Sequence, residues 1–68
     1  MTIGERIKTR REEIGMTQEQ LAHALGYKSK SSINKIELGI QDLTMKKILP
    51  MAQALKTTTD YIMGWGNN

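Results

Sequence analysis

The chain has 68 residues, which is enough for one small domain. It contains no Cys, so disulfides, thiolate metal ligands and a cysteine nucleophile are excluded, and we expect a reducing, cytoplasmic location. Ten Lys and Arg against seven Asp and Glu give a net charge of +3, which favours polyanionic partners only modestly. The sequence has no apolar run as long as a membrane span or a signal-peptide core, so no membrane partner is expected.

Capping signals divide the sequence into five predicted helices. Thr2 with Glu5, and Thr17 with Gln20, fit the capping box, in which two side chains satisfy backbone amides at a helix start. Three glycines occupy positions suited to left-handed C-terminal caps: Gly15, Gly26 and Gly39. The other N-cap candidates are Ser29, Thr44 and either Thr57 or Thr58. The predicted helices span residues 3–14, 18–25, 30–38, 45–55 and 59–63.

Apolar residues spaced three or four apart predict the buried face of each helix. These residues are Ile3, Ile7 and Ile14; Leu21 and Leu25; Ile33 and Ile36; and Met45, Ile48, Ala52 and Leu55. We expect three methionines to fill gaps in the core: Met16, Met45 and Met51. The pattern predicts an all-α domain over residues 1–65, with residues 66–68 forming a tail or the start of a linker.

Residues 17–39 predict a helix-turn-helix: a short capped helix, a glycine-containing turn, and a second short helix with Ile33 and Ile36 buried. This layout presents a recognition helix from a compact bundle. On a helical wheel, the side opposite the two isoleucines carries Ser31, Lys35 and Leu38, with Asn34 beside them. Lys30 lies in the first turn of the same helix. Lysine, asparagine and serine are side chains that hydrogen-bond base edges in the major groove.

Motifs along nearly the whole chain resemble those of the lambdoid phage repressor and Cro family, the XRE-type regulators. They are Ile7-x-x-x-Arg11, Thr17-Gln18-x-x-Leu21-Ala22, Leu25-Gly26, Ile33-x-x-Ile36-Glu37-x-Gly39, Ala52-x-Ala54-Leu55 and Asp60-Tyr61-Ile62. The resemblance implies a five-helix lambda-repressor-like fold with the helix-turn-helix formed by helices 2 and 3. It also implies a sequence-specific transcription regulator, a repressor of phage or prophage type, that binds palindromic double-stranded DNA as a homodimer.

The resemblance further implies roles for individual residues. Gln18 would contact a backbone phosphate and brace the recognition helix. Arg11 and Glu37 would form a buried salt bridge between helices 1 and 3, whereas the helical wheel leaves Arg10 and Arg11 equally near the apolar face. The implied base-contacting residues are Lys30, Ser31, Ser32 and Lys35. The wheel independently supports all of these except Ser32.

The turn departs from the family pattern. Between Gly26 and Ile33 the chain has one residue more than is usual, and the extra residue lies within residues 27–29. Whether the base contacts shift by one position is therefore open, and Lys28 and Ser29 become further candidates for contact with phosphate or a base edge.

For several other residues the sequence gives only a weak indication of function. The loop before helix 4 approaches the DNA backbone in the family, which makes Gln41, Thr44 and Lys46 candidate phosphate contacts. We expect Lys46 and Lys47 to be solvated. His23 points away from the apolar face of helix 2, and with no Cys or second His it predicts neither a metal site nor a cofactor.

Alternatives remain open at the level of function. Domains of this pattern also occur as antitoxins, which bind a protein toxin and regulate their own operon. An enzyme acting on a small-molecule substrate is not expected, because acid–base catalysis needs a base, an acid and a pocket, and a 68-residue bundle with one exposed His and no Cys offers none of these. Met63 and Trp65 either cover the end of the bundle or contact a second subunit. The chain is either a complete short regulator or the DNA-binding part of a longer repressor.

Overall fold

The computed structural model describes residues 1–65, which form five helices. They are α1 (Ile3–Glu13), α2 (Gln18–Leu25), α3 (Lys30–Glu37), α4 (Met45–Ala54) and α5 (Thr59–Met63). Each agrees with its predicted bounds within one residue, and the predicted all-α, lambda-repressor-like fold is confirmed. The prediction of a tail or linker at residues 66–68 lies outside the described residues. None of the helices described in residues 1–65 is long and apolar enough to span a membrane.

The helices begin where local side-chain caps place them. In α1, the Glu5 amide donates to Thr2 Oγ1 at 3.1 Å, and the Thr2 amide donates to Glu5 Oε1 at 2.8 Å. Thr17 and Gln20 make the same reciprocal pair at α2, at 3.0 and 2.9 Å. The other three N-caps are Ser29, Thr44 and Thr58. Both predicted capping boxes are confirmed, and Thr58 rather than Thr57 caps α5.

A single apolar core holds the five helices together. Its fully buried side chains come from every helix or its C-terminal cap: Ile7, Leu21, Ile33, Met51, Leu55 and Ile62. α1 packs on α3 and α5, and α2 packs on α3 and α4. α3 therefore packs against α1 and α2 on one side, and its opposite side faces solvent.

Met45 does not belong to the core, contrary to the sequence prediction. It is 84% exposed, whereas Met51 and Leu55 of the same segment are fully buried. On a helical wheel Met45 lies about 120° from Met51, so the true centre of the buried face is displaced away from Met45. Met16, the third methionine assigned to the core, is partly buried against it.

Two arginines of α1 tie this helix to the ends of α4 and α5. The Arg6 Nε donates to the Ile62 carbonyl at 2.9 Å. The Arg10 Nε donates to the Leu55 carbonyl at 2.8 Å, and its Nη2 donates to the Lys56 carbonyl at 2.9 Å. The last carbonyls of a helix lack partners within the helix and carry the negative end of its dipole, so cationic donors stabilise them.

Candidate nucleic-acid interface

The turn between α2 and α3 is closed by backbone hydrogen bonds. Gly26 adopts a left-handed conformation with φ of 78° at the end of α2. Its amide donates to the His23 carbonyl at 3.2 Å, and the Tyr27 amide donates to the Ala22 carbonyl at 2.9 Å. This pair of bonds is the Schellman arrangement, which ends a helix sharply. α3 then starts from Ser29, whose hydroxyl accepts from the Ser31 amide at 3.3 Å.

The two sides of α3 differ in chemistry. Ile33 and Ile36 are buried in the core, and Glu37 is buried on the flank next to them. The exposed residues of this helix are Lys30, Ser31, Asn34 and Lys35, and Ser32 is half-buried. Within α3, the exposed side therefore carries hydroxyl, amide and ammonium groups and no carboxylate. Such a surface can donate hydrogen bonds to base edges and does not repel phosphate.

A buried charge network connects α1 to α3. The Arg11 Nε donates to Glu37 Oε2 at 2.7 Å, and its Nη2 donates to Glu37 Oε1 at 3.2 Å. The Arg11 Nη1 donates to the Met16 carbonyl at 2.8 Å. Gln18 joins the network, because its Nε2 donates to Glu37 Oε1 at 3.0 Å and to Asn34 Oδ1 at 3.3 Å. The first residue of α2 thus links the buried ion pair to an exposed residue of α3.

The whole of this unit matches one protein family. A family model described as helix-turn-helix matches residues 7–62, which include α2, α3 and α4 entirely and most of α1 and α5. The chain belongs to this helix-turn-helix family. The resemblance to lambdoid repressors and XRE-type regulators is thereby confirmed. No curated protein sequence matches the chain.

Two solved structures of the P22 c2 repressor and one of a controller protein are similar to this helix-turn-helix protein. The P22 c2 repressor, solved in complex with a synthetic operator, is 26% identical with a TM-score of 0.87, over 97% of this chain and 98% of that one. The P22 c2 DNA-binding domain in solution is 27% identical with a TM-score of 0.85, over 91% and 80%. The restriction-modification controller protein C.AhdI from Aeromonas hydrophila is 28% identical with a TM-score of 0.82, over 90% and 91%. The chain is a DNA-binding transcription regulator.

In this helix-turn-helix regulator residues 27–29, where the extra residue is predicted, precede α3. Ser29 serves as the N-cap, and Tyr27 is partly buried against the core. Lys28, between them, is exposed. All three turn residues therefore lie outside α3. Ser29 is engaged in capping, and its hydroxyl also lies 2.7 Å from that of Ser31.

The basic residues of the regulator divide into two groups. Four of the ten donate hydrogen bonds to acceptors within the described residues: Arg6, Arg10, Arg11 and Lys47. The other six are exposed lysines: Lys8, Lys28, Lys30, Lys35, Lys46 and Lys56. Three of these six lie in the turn and on α3. Against these three lysines, residues 17–39 carry one exposed acid, Glu19.

The residues predicted with weaker signals outside the helix-turn-helix, together with His23, differ in their exposure to solvent. Thr44 begins α4 without a side-chain capping bond in the described residues, and both Thr44 and Lys46 are exposed. Gln41 is half-buried and His23 is exposed. Lys47 is not solvated as predicted, because it is half-buried and donates to the Leu25 carbonyl at 2.6 Å.

Sequence reasoning missed the contacts made by Arg6, Arg10 and Lys47. All three side chains satisfy carbonyls at helix ends, at least 22 positions away in the chain. Such a partner leaves no local pattern around the lysine or arginine. The one available signal is indirect: each of these three residues lies on the border between the apolar and polar sides of its helix.

Proposed function

We propose that this regulator is a sequence-specific repressor of phage or prophage type that inserts α3 into the major groove. The observation that carries the proposal is the clamped orientation of α3. Ile33 and Ile36 hold one side in the core, while Lys30, Ser31 and Lys35 are exposed on the other. A single short helix held in this way is the geometry by which helix-turn-helix proteins contact base edges.

The chemistry of the exposed side supports base recognition. Lysine donates to the O6 and N7 acceptors of guanine, asparagine pairs with adenine, and serine pairs with either. Gln18, at the start of α2, is suited to a phosphate contact that orients the motif. The P22 c2 repressor, whose structure is similar over nearly the whole of this chain, was solved in complex with a synthetic operator. By analogy with that repressor, double-stranded DNA is the proposed ligand of this chain.

We further propose that the regulator binds a palindromic site as a homodimer. One recognition helix contacts only a few base pairs, so a pair of half-sites about 34 Å apart is needed for useful specificity.

Trp65 is 73% exposed in the described structure, whereas Met63 is half-buried. This exposure favours a second-subunit contact for Trp65 over a role in covering the bundle. Trp65 is the single tryptophan of the chain, so its emission should shift to shorter wavelength as protein concentration rises.

The decisive experiment is selection of bound sites from random double-stranded DNA, followed by binding assays on variants. Lys30→Ala, Ser31→Ala and Lys35→Ala should each lose discrimination at particular base pairs of a palindromic site. Lys56→Ala, which removes an exposed lysine after α4, is the matched control and should bind as the parent does. If all three α3 variants bind with parental affinity and specificity, α3 is not the recognition helix.

The antitoxin alternative differs from the repressor in its protein partner, since an antitoxin that regulates its own operon also enriches a DNA site. A chain that forms a stable complex with the product of an adjacent toxin-like gene would favour the antitoxin. Enrichment of a palindrome by the chain without such a partner supports the repressor.

A further inference from the structure

Lys47 connects α4 to the turn of the helix-turn-helix. Its Nζ donates to the Leu25 carbonyl at 2.6 Å and lies 4.9 Å from the centroid of the Tyr27 ring. Leu25 is the last residue of α2, and Tyr27 is the second residue beyond it. A single ammonium group from a distant helix therefore holds both sides of Gly26.

The Leu25 carbonyl is a suitable partner for a cation. The Schellman bonds of Gly26 and Tyr27 occupy the carbonyls of His23 and Ala22 and do not use that of Leu25. A cation near the last carbonyls of a helix interacts favourably with its dipole. A cation over the face of a tyrosine ring adds further attraction. Burial also raises the pKa of the Tyr27 hydroxyl further above physiological pH.

We propose that Lys47 is a positioning residue for DNA recognition, and this rests on the proposed role of α3. The anchored positions, Leu25 and Tyr27, are two to four residues from Ser29, the N-cap of α3. Lys30 and Ser31 follow immediately. The turn contains the exposed Lys28 and is predicted to be one residue longer than is usual in the family, and a longer turn has more conformations unless it is tied down. By holding the start of the turn, Lys47 fixes where the first turn of α3 enters the groove.

The test compares Lys47→Met, which keeps an unbranched apolar side chain, with Lys56→Met as a control for charge loss. On the selected site, Lys47→Met should weaken binding about tenfold, in line with the loss of a charge-assisted hydrogen bond. Discrimination should fall mainly at the base pairs assigned to Lys30 and Ser31, and much less at those assigned to Lys35. The salt dependence should not change, because Lys47 faces protein and not phosphate. Lys47→Arg, which keeps a cation and a donor, should restore much of the discrimination.

Two results would overturn the proposal. A salt slope smaller by about 0.9 in Lys47→Met would identify Lys47 as a phosphate contact. A lower melting temperature with unchanged affinity and discrimination would reduce Lys47 to a purely stabilising residue. If Lys47→Met does not fold, Tyr27→Leu, which removes the aromatic face, should show the same selective loss, and its absence would equally contradict the proposal.

Failure of the proposed function has a separate signature. If the parent chain selects no site, α3 is not a recognition helix, whatever Lys47 does. Amide hydrogen exchange in the turn, compared between parent and Lys47→Met without DNA, still measures the anchoring itself. Faster exchange at residues 26–29 in the variant is expected, and equal rates would show that Lys47 does not restrain the turn.

Discussion

The α carbon of Gly4 lies directly against the backbone of Glu37, at the crossing of α1 and α3. A Cβ at position 4 would be 2.8 Å from the Glu37 carbonyl carbon and 2.5 Å from the Ile36 carbonyl oxygen. Backbone atoms cannot yield as the end of a flexible side chain can. The absence of a side chain at Gly4 thus permits α1 to approach the C-terminal end of α3 this closely.

Gly4→Ala should destabilise the protein, although alanine is the better helix former. Intrinsic propensity alone predicts a gain of up to about 1 kcal/mol. The forced separation of α1 from α3 should instead produce a net loss of about 1–3 kcal/mol in the free energy of unfolding, as for overpacked cores. Urea denaturation measures this. Ala24→Gly, at an exposed position of α2, calibrates the propensity effect, and a stabilised Gly4→Ala protein would contradict the close packing.

Arg11→Met should be among the most damaging single substitutions. It leaves the buried Glu37 carboxylate without its two bonds from the guanidinium and with only the Gln18 amide. Removing one partner of a buried ion pair costs about 3–5 kcal/mol, which is a large part of the stability of a small domain. The double variant Arg11→Met, Glu37→Leu should recover much of that loss in the same denaturation assay. Equal stability of the single variant and the parent would show that the pair is solvated.

The α1 capping box should weaken under acidic conditions. The hydrogen bond from the Thr2 amide, as the largest cause, holds the pKa of Glu5 below its ordinary value of 4.5. The carboxylate therefore contributes stability that is present above the unfolded-state pKa and is lost as pH falls through the lower folded-state pKa. The melting temperature of the parent should exceed that of Glu5→Gln at neutral pH, and the difference should narrow below about pH 4. Glu19→Gln is the control, since the α2 capping box uses Gln20.

The salt dependence of DNA binding should distinguish lysines that contact phosphate from lysines that contact bases. Lys28, exposed in the turn, is a candidate for contact with phosphate or a base edge. A phosphate contact predicts that Lys28→Gln reduces the slope of log K against log salt by about 0.9 and weakens all sites uniformly. Lys35→Ala should instead cost about 1–3 kcal/mol at one base pair. Fluorescence anisotropy with a labelled site at several salt concentrations measures both. A parent whose affinity does not depend on salt would contradict the interface as a whole.

The sequence by itself determined the five helices of this protein. The signals are local: Thr2 and Glu5 lie three positions apart, and Gly26 adopts its left-handed conformation within the turn that it closes. The spacing of Ile33 and Ile36 also determined which side of α3 faces the core. Such contacts form within a helix or at its end, so residue order alone specifies them.

Only the tertiary structure decided how the polar side chains are used and where the core ends. Lys47 and Arg10 reach carbonyls 22 and 45 positions away, and neither partner leaves a mark in the local sequence. Met45 has a side chain suited to the core but is exposed at the first turn of α4. Gly4 is required because a particular crossing brings another helix's backbone against it. These outcomes depend on the distances between packed helices, which the periodicity of any single helix does not contain.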